Sequence, residues 1–332
     1  MIRKIIKQGH NTLTVTLPSI WAKRFNLKQG QDINLIEREN GLFLSAEKTD
    51  KPSSIEIDIT NLTVPLIWKY ISTAYRAGYN EIVVKFPPDA IFDSPYKYFA
   101  HYTVDPFFER KEKLSPQEFF YQITNRFVGL ELLDINEKLC VLKEIGQSTS
   151  KEFDSSLRRI FLLILHLSEG IIKDLEKGKT NFLAKVHNID LQIDKFHDFC
   201  CRVLNKTGLE EPSKSSLTFT LIYLLELVGD EFKHLSIQLI KKNPKDLNPK
   251  KIIQSLNSIN DQLKLFYELY YSYNKEKLKE LFNMNKRFTD KEDAKKNTYK
   301  PDVQVTIETI NRYIDVLSEI LISKQVSSSN SV

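Results

Sequence analysis

Apolar and polar positions alternate with period two at the start of the chain. Residues 2–8 read Ile-Arg-Lys-Ile-Ile-Lys-Gln and residues 12–17 read Thr-Leu-Thr-Val-Thr-Leu, with Gly9-His10-Asn11 as a turn between them. This spacing predicts two strands. Pro18 ends the second strand, and Ser19 is placed to cap a short helix over 20–25, with Trp21 and Phe25 on one face. Lys28 to Gln31 turns the chain. Asp32 to Arg38 alternates again, Asn40-Gly41 is a hairpin signal, and Leu42 to Ser45 returns.

A linker at 51–54 leads into a second pattern. Residues 55–59 alternate as a strand, 64–77 have helical spacing closed by Gly78, and 81–86 form another strand. Residues 87–113 are irregular and aromatic, as a cover over a small sheet or a docking loop would be. A helix over 116–126 and a hairpin of 128–133 with 139–145 around Asn136-Glu137 complete a small α/β segment. Beyond 148 the apolar period becomes helical, with helices expected over 152–175, 179–205, 217–239, 249–285 and 305–323. Long amphipathic helices joined by short loops imply an antiparallel bundle. The predicted fold is therefore multidomain: residues 1–49, a small α/β domain over 50–147, an all-α antiparallel bundle over 148–325, and a disordered tail over 326–332.

Composition narrows the function classes. Only 10 glycines occur in 332 residues, and no Gly-x-Gly-x-x-Gly or Walker loop is present. Cys140, Cys200 and Cys201 have neither zinc nor disulfide spacing and fit core positions in a reducing cytoplasm. No signal peptide is visible. The longest apolar run, Ile160 to Leu167, is too short for a membrane span, so an integral membrane protein is not expected. No nucleophile, phosphate loop or base–orienter pair marks an enzyme.

Charge placement is more informative than the net +5. Residues 1–28 contain Arg3, Lys4, Lys7, Lys23, Arg24 and Lys28 and no Asp or Glu. Such a surface suits phosphates, or is simply a solvated basic face. A unit of about 45 residues buries little surface alone, so dimerisation by strand exchange is a physical expectation.

The run Gly9-His10-Asn11-Thr12-Leu13-Thr14-Val15-Thr16-Leu17-Pro18, followed by Trp21-Ala22-Lys23-Arg24-Phe25-Asn26-Leu27-Lys28-Gln29-Gly30-Gln31, resembles the AbrB/SpoVT/MazE-type swapped-hairpin module. The resemblance implies an interlaced β-barrel shared by two chains. It also implies double-stranded DNA contacts at Arg3, Lys4, Lys7, His10 and Asn11, with Lys23 and Arg24 as further candidates.

Two acidic stretches stand out in the helical half. Asp190, Asp194 and Asp198 recur every four residues, and Glu226, Asp230 and His234 line a face of another helix. Two such faces meeting in a bundle can hold a metal, while the same spacing also occurs on solvated faces, with His197 and His234 at the surface. Asp190-x-x-x-Asp194 and Glu226-x-x-x-Asp230, the latter within Leu227-Val228-Gly229-Asp230-Glu231-Phe232, resemble the PhoU family. That resemblance implies a divalent or iron-type metal ion at Asp190, Asp194, Glu226 and Asp230. No matching motif is clear over 250–325, where Glu308, Arg312, Asp315 and Glu319 fit a solvated face. A swapped-hairpin module before a PhoU-like bundle is similar to the archaeal phosphate-uptake regulators. The expectation is a dimeric, non-enzymatic DNA-binding regulator of phosphate homeostasis. The alternative is an adaptor that contacts a phosphate transporter or signalling components, with the N-terminal module serving mainly to dimerise.

Overall fold

The computed structural model describes residues 2–38, 41–45, 53–95, 113–146, 150–207, 212–241, 247–289 and 301–329. The Asn40 hairpin position, the linker residues 51–52, most of the aromatic segment after Pro95 and the tail residues 330–332 lie outside them. The chain divides into two compact units, Met1–Pro52 and Ser53–Val332.

In the first unit, β1 (Ile6–Gln8) pairs antiparallel with β2 (Thr12–Thr14), placing Lys7 opposite Leu13. Gly9 closes the turn with φ of 73°, a conformation that costs glycine nothing. Helix α1 (Ser19–Arg24) follows, with Pro18 at its N-cap and Ser19 already inside the helix. Strand β3 (Asn34–Arg38) pairs with β4 (Gly41–Ser45). The expected swapped-hairpin β-barrel is not formed. Among the described residues the four strands make two separate two-stranded sheets with no ladder between them. Each hairpin satisfies its own short register, and closure needs long-range pairing that three-residue strands do not supply. In consequence Ile5, Ile6, Leu13, Val15, Leu35 and Leu42 stay exposed.

The second unit begins with β5 (Ser54–Asp58), α2 (Val64–Ala77) and β6 (Glu81–Lys85), the expected strand–helix–strand crossover. Strands β5 and β6 are parallel. The short pair β7 (Phe92–Asp93) and β8 (Lys113–Leu114) leads to α3 (Pro116–Thr124). Ser115 and Glu118 close a capping box at the start of α3. Strands β9 (Leu130–Ile135) and β10 (Leu139–Glu144) complete a four-stranded sheet in the order β5-β6-β10-β9. Ile57, Ile82, Val84 and Leu142 of the sheet share one core with Ile67, Ile71 and Tyr75 of α2 and Phe119, Phe120 and Ile123 of α3.

The helical part consists of α4 (Ser150–Lys177), a 3-10 turn at Leu183–Lys185, α5 (Val186–Thr207), α6 (Pro212–Lys241), α7 (Pro249–Tyr271), α8 (Lys275–Thr289) and α9 (Pro301–Ser329). The continuous helix expected over 249–285 is two helices. Asn274 starts the second, accepting from the amides of Glu276 and Lys277 at 2.9 and 3.0 Å. One apolar core runs through all six, including Phe161, Leu167, Phe232, Phe266, Ile307 and Leu317. None of the described helices is long and apolar enough to cross a membrane.

Gly170 of α4 faces Phe182, and a Cβ there would lie 2.1 Å from the ring. The Phe182 amide donates to Asp174 Oδ2 at 2.6 Å, which anchors the residue carrying that ring. Gly170→Ala is expected to lose about 1–3 kcal/mol in urea unfolding, overpacking outweighing alanine's better helix propensity. Adding Phe182→Ala should recover much of that loss.

Candidate functional site

Two surfaces collect the candidate chemistry. The first is the N-terminal unit. Arg3, Lys4, Lys7, His10 and Asn11 are all exposed along the β1–β2 hairpin and the extended residues before it. Lys23 and Arg24 occupy the last turn of α1, also exposed. The unit thus presents its bases to solvent beside exposed Ile2, Ile6 and Leu13.

The second is a cavity of about 590 Å³ between α2, α5 and α6. Helix α5 lines it with a stripe read every four residues: Asp190, Asp194, Asp198 and, beyond the cavity, Arg202 and Lys206. Each side chain in that stripe has an opposite charge waiting. Lys233 Nζ of α6 donates to Asp190 Oδ2 at 2.7 Å and also to Asp230. Arg126, just after α3, reaches Asp194 at 3.3 Å, and Arg76 of α2 reaches Asp198 at 2.9 Å. Arg202 and Lys206 both pair with Glu144 of β10, at 3.0 and 2.6 Å. Gly229 lets α6 come close to α5, since a Cβ there would be 3.1 Å from Ile193 Cδ1.

Asp190, Asp194, Glu226 and Asp230 are therefore brought together, as the spacing suggested, but the metal expected there is not supported. Among the described residues no group of three or more His, Cys, Asp or Glu side chains is placed to hold a metal ion. The physical reason is that the Lys233 ammonium already stands against Asp190 and Asp230 and the Arg126 guanidinium against Asp194. The α5 stripe is an ionic seam that fastens the α/β layer and α6 to one helix. The sequence pattern contained the acids and their register; the bases that answer them come from other elements and were not anticipated.

Glu226 differs from its neighbours in that no salt bridge holds it among the described residues, although His197 and Lys233 are near enough to act on its charge. Burial, reinforced by the charge of Asp230, pushes its carboxyl up to about 7. Burial and the charge of Asp190 likewise raise Asp194. Burial alone would lower Lys233, but Asp190 and Asp230 outweigh it and raise it. The linkage has a definite sign. The folded chain keeps the Glu226 proton up to about 7, whereas the unfolded chain releases it near 4.5. Stability from this group is complete below pH 4.5 and is lost as pH rises through 7, an effect on the order of 1–3 kcal/mol. Urea unfolding of Glu226→Gln at pH 5 and 7.5 should show a smaller difference between the two than the wild type shows.

One further constellation joins the cavity wall, where His197 and Asp198 line it, to buried Cys201 behind them. Cys201 Sγ is 3.6 Å from His197 Nε2, and His197 Nδ1 is 3.3 Å from Asp198. The order matches a nucleophile, base and orienter. Cys201 is wholly buried, however, and burial pushes its thiol well up, so it is not presented to a substrate as a thiolate. Cys140 and Cys200 are equally buried free thiols.

Comparison with known families gives one match: residues 6–52 fit the family described as antidote-toxin recognition MazE, a bacterial antitoxin. No curated protein and no solved structure matches the chain. The likeness covers the first compact unit only. The chain is thus similar to a MazE-type module at its N-terminus.

Proposed function

We propose that the chain is a dimeric, cytoplasmic, non-enzymatic DNA-binding regulator of phosphate uptake or phosphate homeostasis. The observation that carries the DNA reading is the acid-free basic surface of residues 1–28, held exposed on a MazE-like module. Phosphates supply most of the affinity in such contacts, and cations on a hairpin and a short helix suit them. Self-association is supported by the exposed Ile5, Ile6, Leu13, Val15, Leu35 and Leu42, which a second copy would cover. The link to phosphate rests on the PhoU-like features of the helical unit: long helices, paired acidic motifs on α5 and α6, and Gly229 at their close approach. Two measurements test this reading. Double-stranded DNA from the gene's own upstream region should bind with an affinity that falls steeply with salt. Genome-wide mapping in phosphate-rich and phosphate-starved cells should place the bound sites near phosphate-uptake genes. Binding that ignores salt, or sites indifferent to phosphate, would defeat it.

The adaptor reading draws on a different observation. The matched family is described as recognising a toxin, a protein partner, and the same exposed apolar side chains suit a protein surface. Recovery of transporter or signalling components with the chain, together with no DNA binding at low salt, would favour it.

A further inference from the structure

Helices α5 and α6 run antiparallel where they face one another. Lys233 of α6 meets Asp190 of α5 at 2.7 Å, and further along Tyr223 of α6 meets His197 of α5 edge-on, with ring centroids 4.6 Å apart. As the number on one helix rises, the number on the other falls. Asp194 and Glu226 therefore share the step between those two contacts, and the charge of Glu226 reaches Asp194. Steps four residues apart are separated by about 6 Å along the helix.

The bases do not answer the acids evenly along these steps. Lys233 serves Asp190 and Asp230, and Arg76 serves Asp198. At the middle step Arg126 gives Asp194 one contact at 3.3 Å, and no salt bridge holds Glu226 among the described residues. The surplus negative charge of the cavity is thus local to the Asp194–Glu226 step. Both side chains line the cavity. Asp194 is 31% exposed at its side chain, yet burial raises its carboxyl. The two facts agree because the exposed surface borders enclosed space and not bulk water. Glu226 is half-buried and raised by the same cause. A carboxylate so placed lacks both full hydration and a counter-charge.

The other part of the wall is apolar. Leu183, Leu191, Ile237 and Ile240 line the cavity. Its volume of about 590 Å³ lies within the range of small-molecule pockets. Trp68 is already engaged, with Phe127 stacked at 5.2 Å and the Arg126 guanidinium 5.1 Å from its ring.

We propose that the Asp194–Glu226 step takes the ammonium head of a small organic amine, whose apolar body rests on the leucine and isoleucine wall. A primary ammonium has three donors, enough for both carboxyls, and charge-assisted bonds of this kind are strong. Lys233 and Arg76 stand at the flanking steps and repel a second cation, so the site admits one positive charge and not a polyamine. An anion would meet the surplus acid. The site stands apart from the DNA reading, since all its residues lie in the second compact unit.

The test titrates n-butylammonium chloride into the full chain near pH 7.5, by calorimetry and by thermal melting. Potassium chloride at equal concentration is the reference, and EDTA is present throughout. Wild type is compared with Glu226→Gln and Glu280→Gln. The first keeps the side-chain shape and breaks no salt bridge among the described residues, and circular dichroism checks its fold. The second removes an exposed acid of α8 that does not line the cavity. At about five times its Kd, butylammonium should raise the melting temperature of wild type and Glu280→Gln by about 2–4 °C over the potassium reference. Glu226→Gln should bind at least about tenfold more weakly. No response in the wild type, or an equal response in Glu226→Gln, overturns the site. A stronger response to 1,4-diaminobutane than to butylammonium overturns the single-cation pocket.

Discussion

Replacing Arg202 by Met is expected to cost about 3–5 kcal/mol in urea unfolding, the range for breaking a buried, fully bonded charge pair. Arg202 is wholly buried on α5. Its guanidinium donates to the carbonyls of Tyr75 and Tyr79 at 2.6 and 2.8 Å, pairs with Glu144, and stacks 4.7 Å from the Tyr75 ring. The Tyr75 carbonyl lies in the last turn of α2 and also accepts from the Gly78 amide at 3.0 Å, and Tyr79 follows just past the helix. Nearby, Asn205 Nδ2 caps the Arg76 carbonyl in the same way at 2.8 Å. Loss of the guanidinium takes one donor from each of the two carbonyls and one partner from Glu144 inside the interface between the α/β layer and the bundle. Arg202→Lys should be nearly as harmful, because one ammonium cannot reach two carbonyls, a carboxylate and a ring together. Lys206→Met offers the contrast. It shares Glu144 but lies nearer solvent, with its side chain 23% exposed, and about 0–1 kcal/mol is expected. Equal losses at 202 and 206 would show that the seam is a general charge effect and not a lock at one residue.

R3A/K4A/K7A is expected to bind double-stranded DNA on the order of 100-fold more weakly near 100 mM salt. Each phosphate contact removed takes about 0.9 from the salt slope, so a monomer loses close to three and a dimer about twice that. The three side chains are exposed, and only Lys7 lies in a strand, so the unit's fold should survive, as circular dichroism would verify. Lys23→Ala with Arg24→Ala, at the far end of α1, should cost less if those residues touch only the rim of the contact. A variant at positions 3, 4 and 7 that binds like wild type would remove the N-terminal surface from the interface and leave protein contact as the module's role.

The local register of the chain was legible without a structure. Period-two runs placed β1 and β2 and the later hairpin of β3 with β4, and Gly78 closed α2 where the pattern stopped. The four-residue recurrence of Asp190, Asp194 and Asp198 placed them on one helix face, since that is a property of helix geometry alone. The break between α7 and α8 was present too, in Asn274 and the acid two residues later, but apolar periodicity on both sides concealed it.

What only the tertiary structure decided is which groups meet. Arg76 and Asp198 are 122 positions apart, Arg126 and Asp194 are 68, and Lys233 and Asp190 are 43. No local period reaches across such separations; they are set by the packing of α2, the segment after α3 and α6 on α5. That packing turned an apparent metal motif into an ionic seam. The same limit applies to the first unit, where alternation predicts strands and not the long-range ladder that would close a barrel. The basic character of residues 1–28 needed no folding to be seen, because charge belongs to composition, and its exposure on a short hairpin is what the structure added.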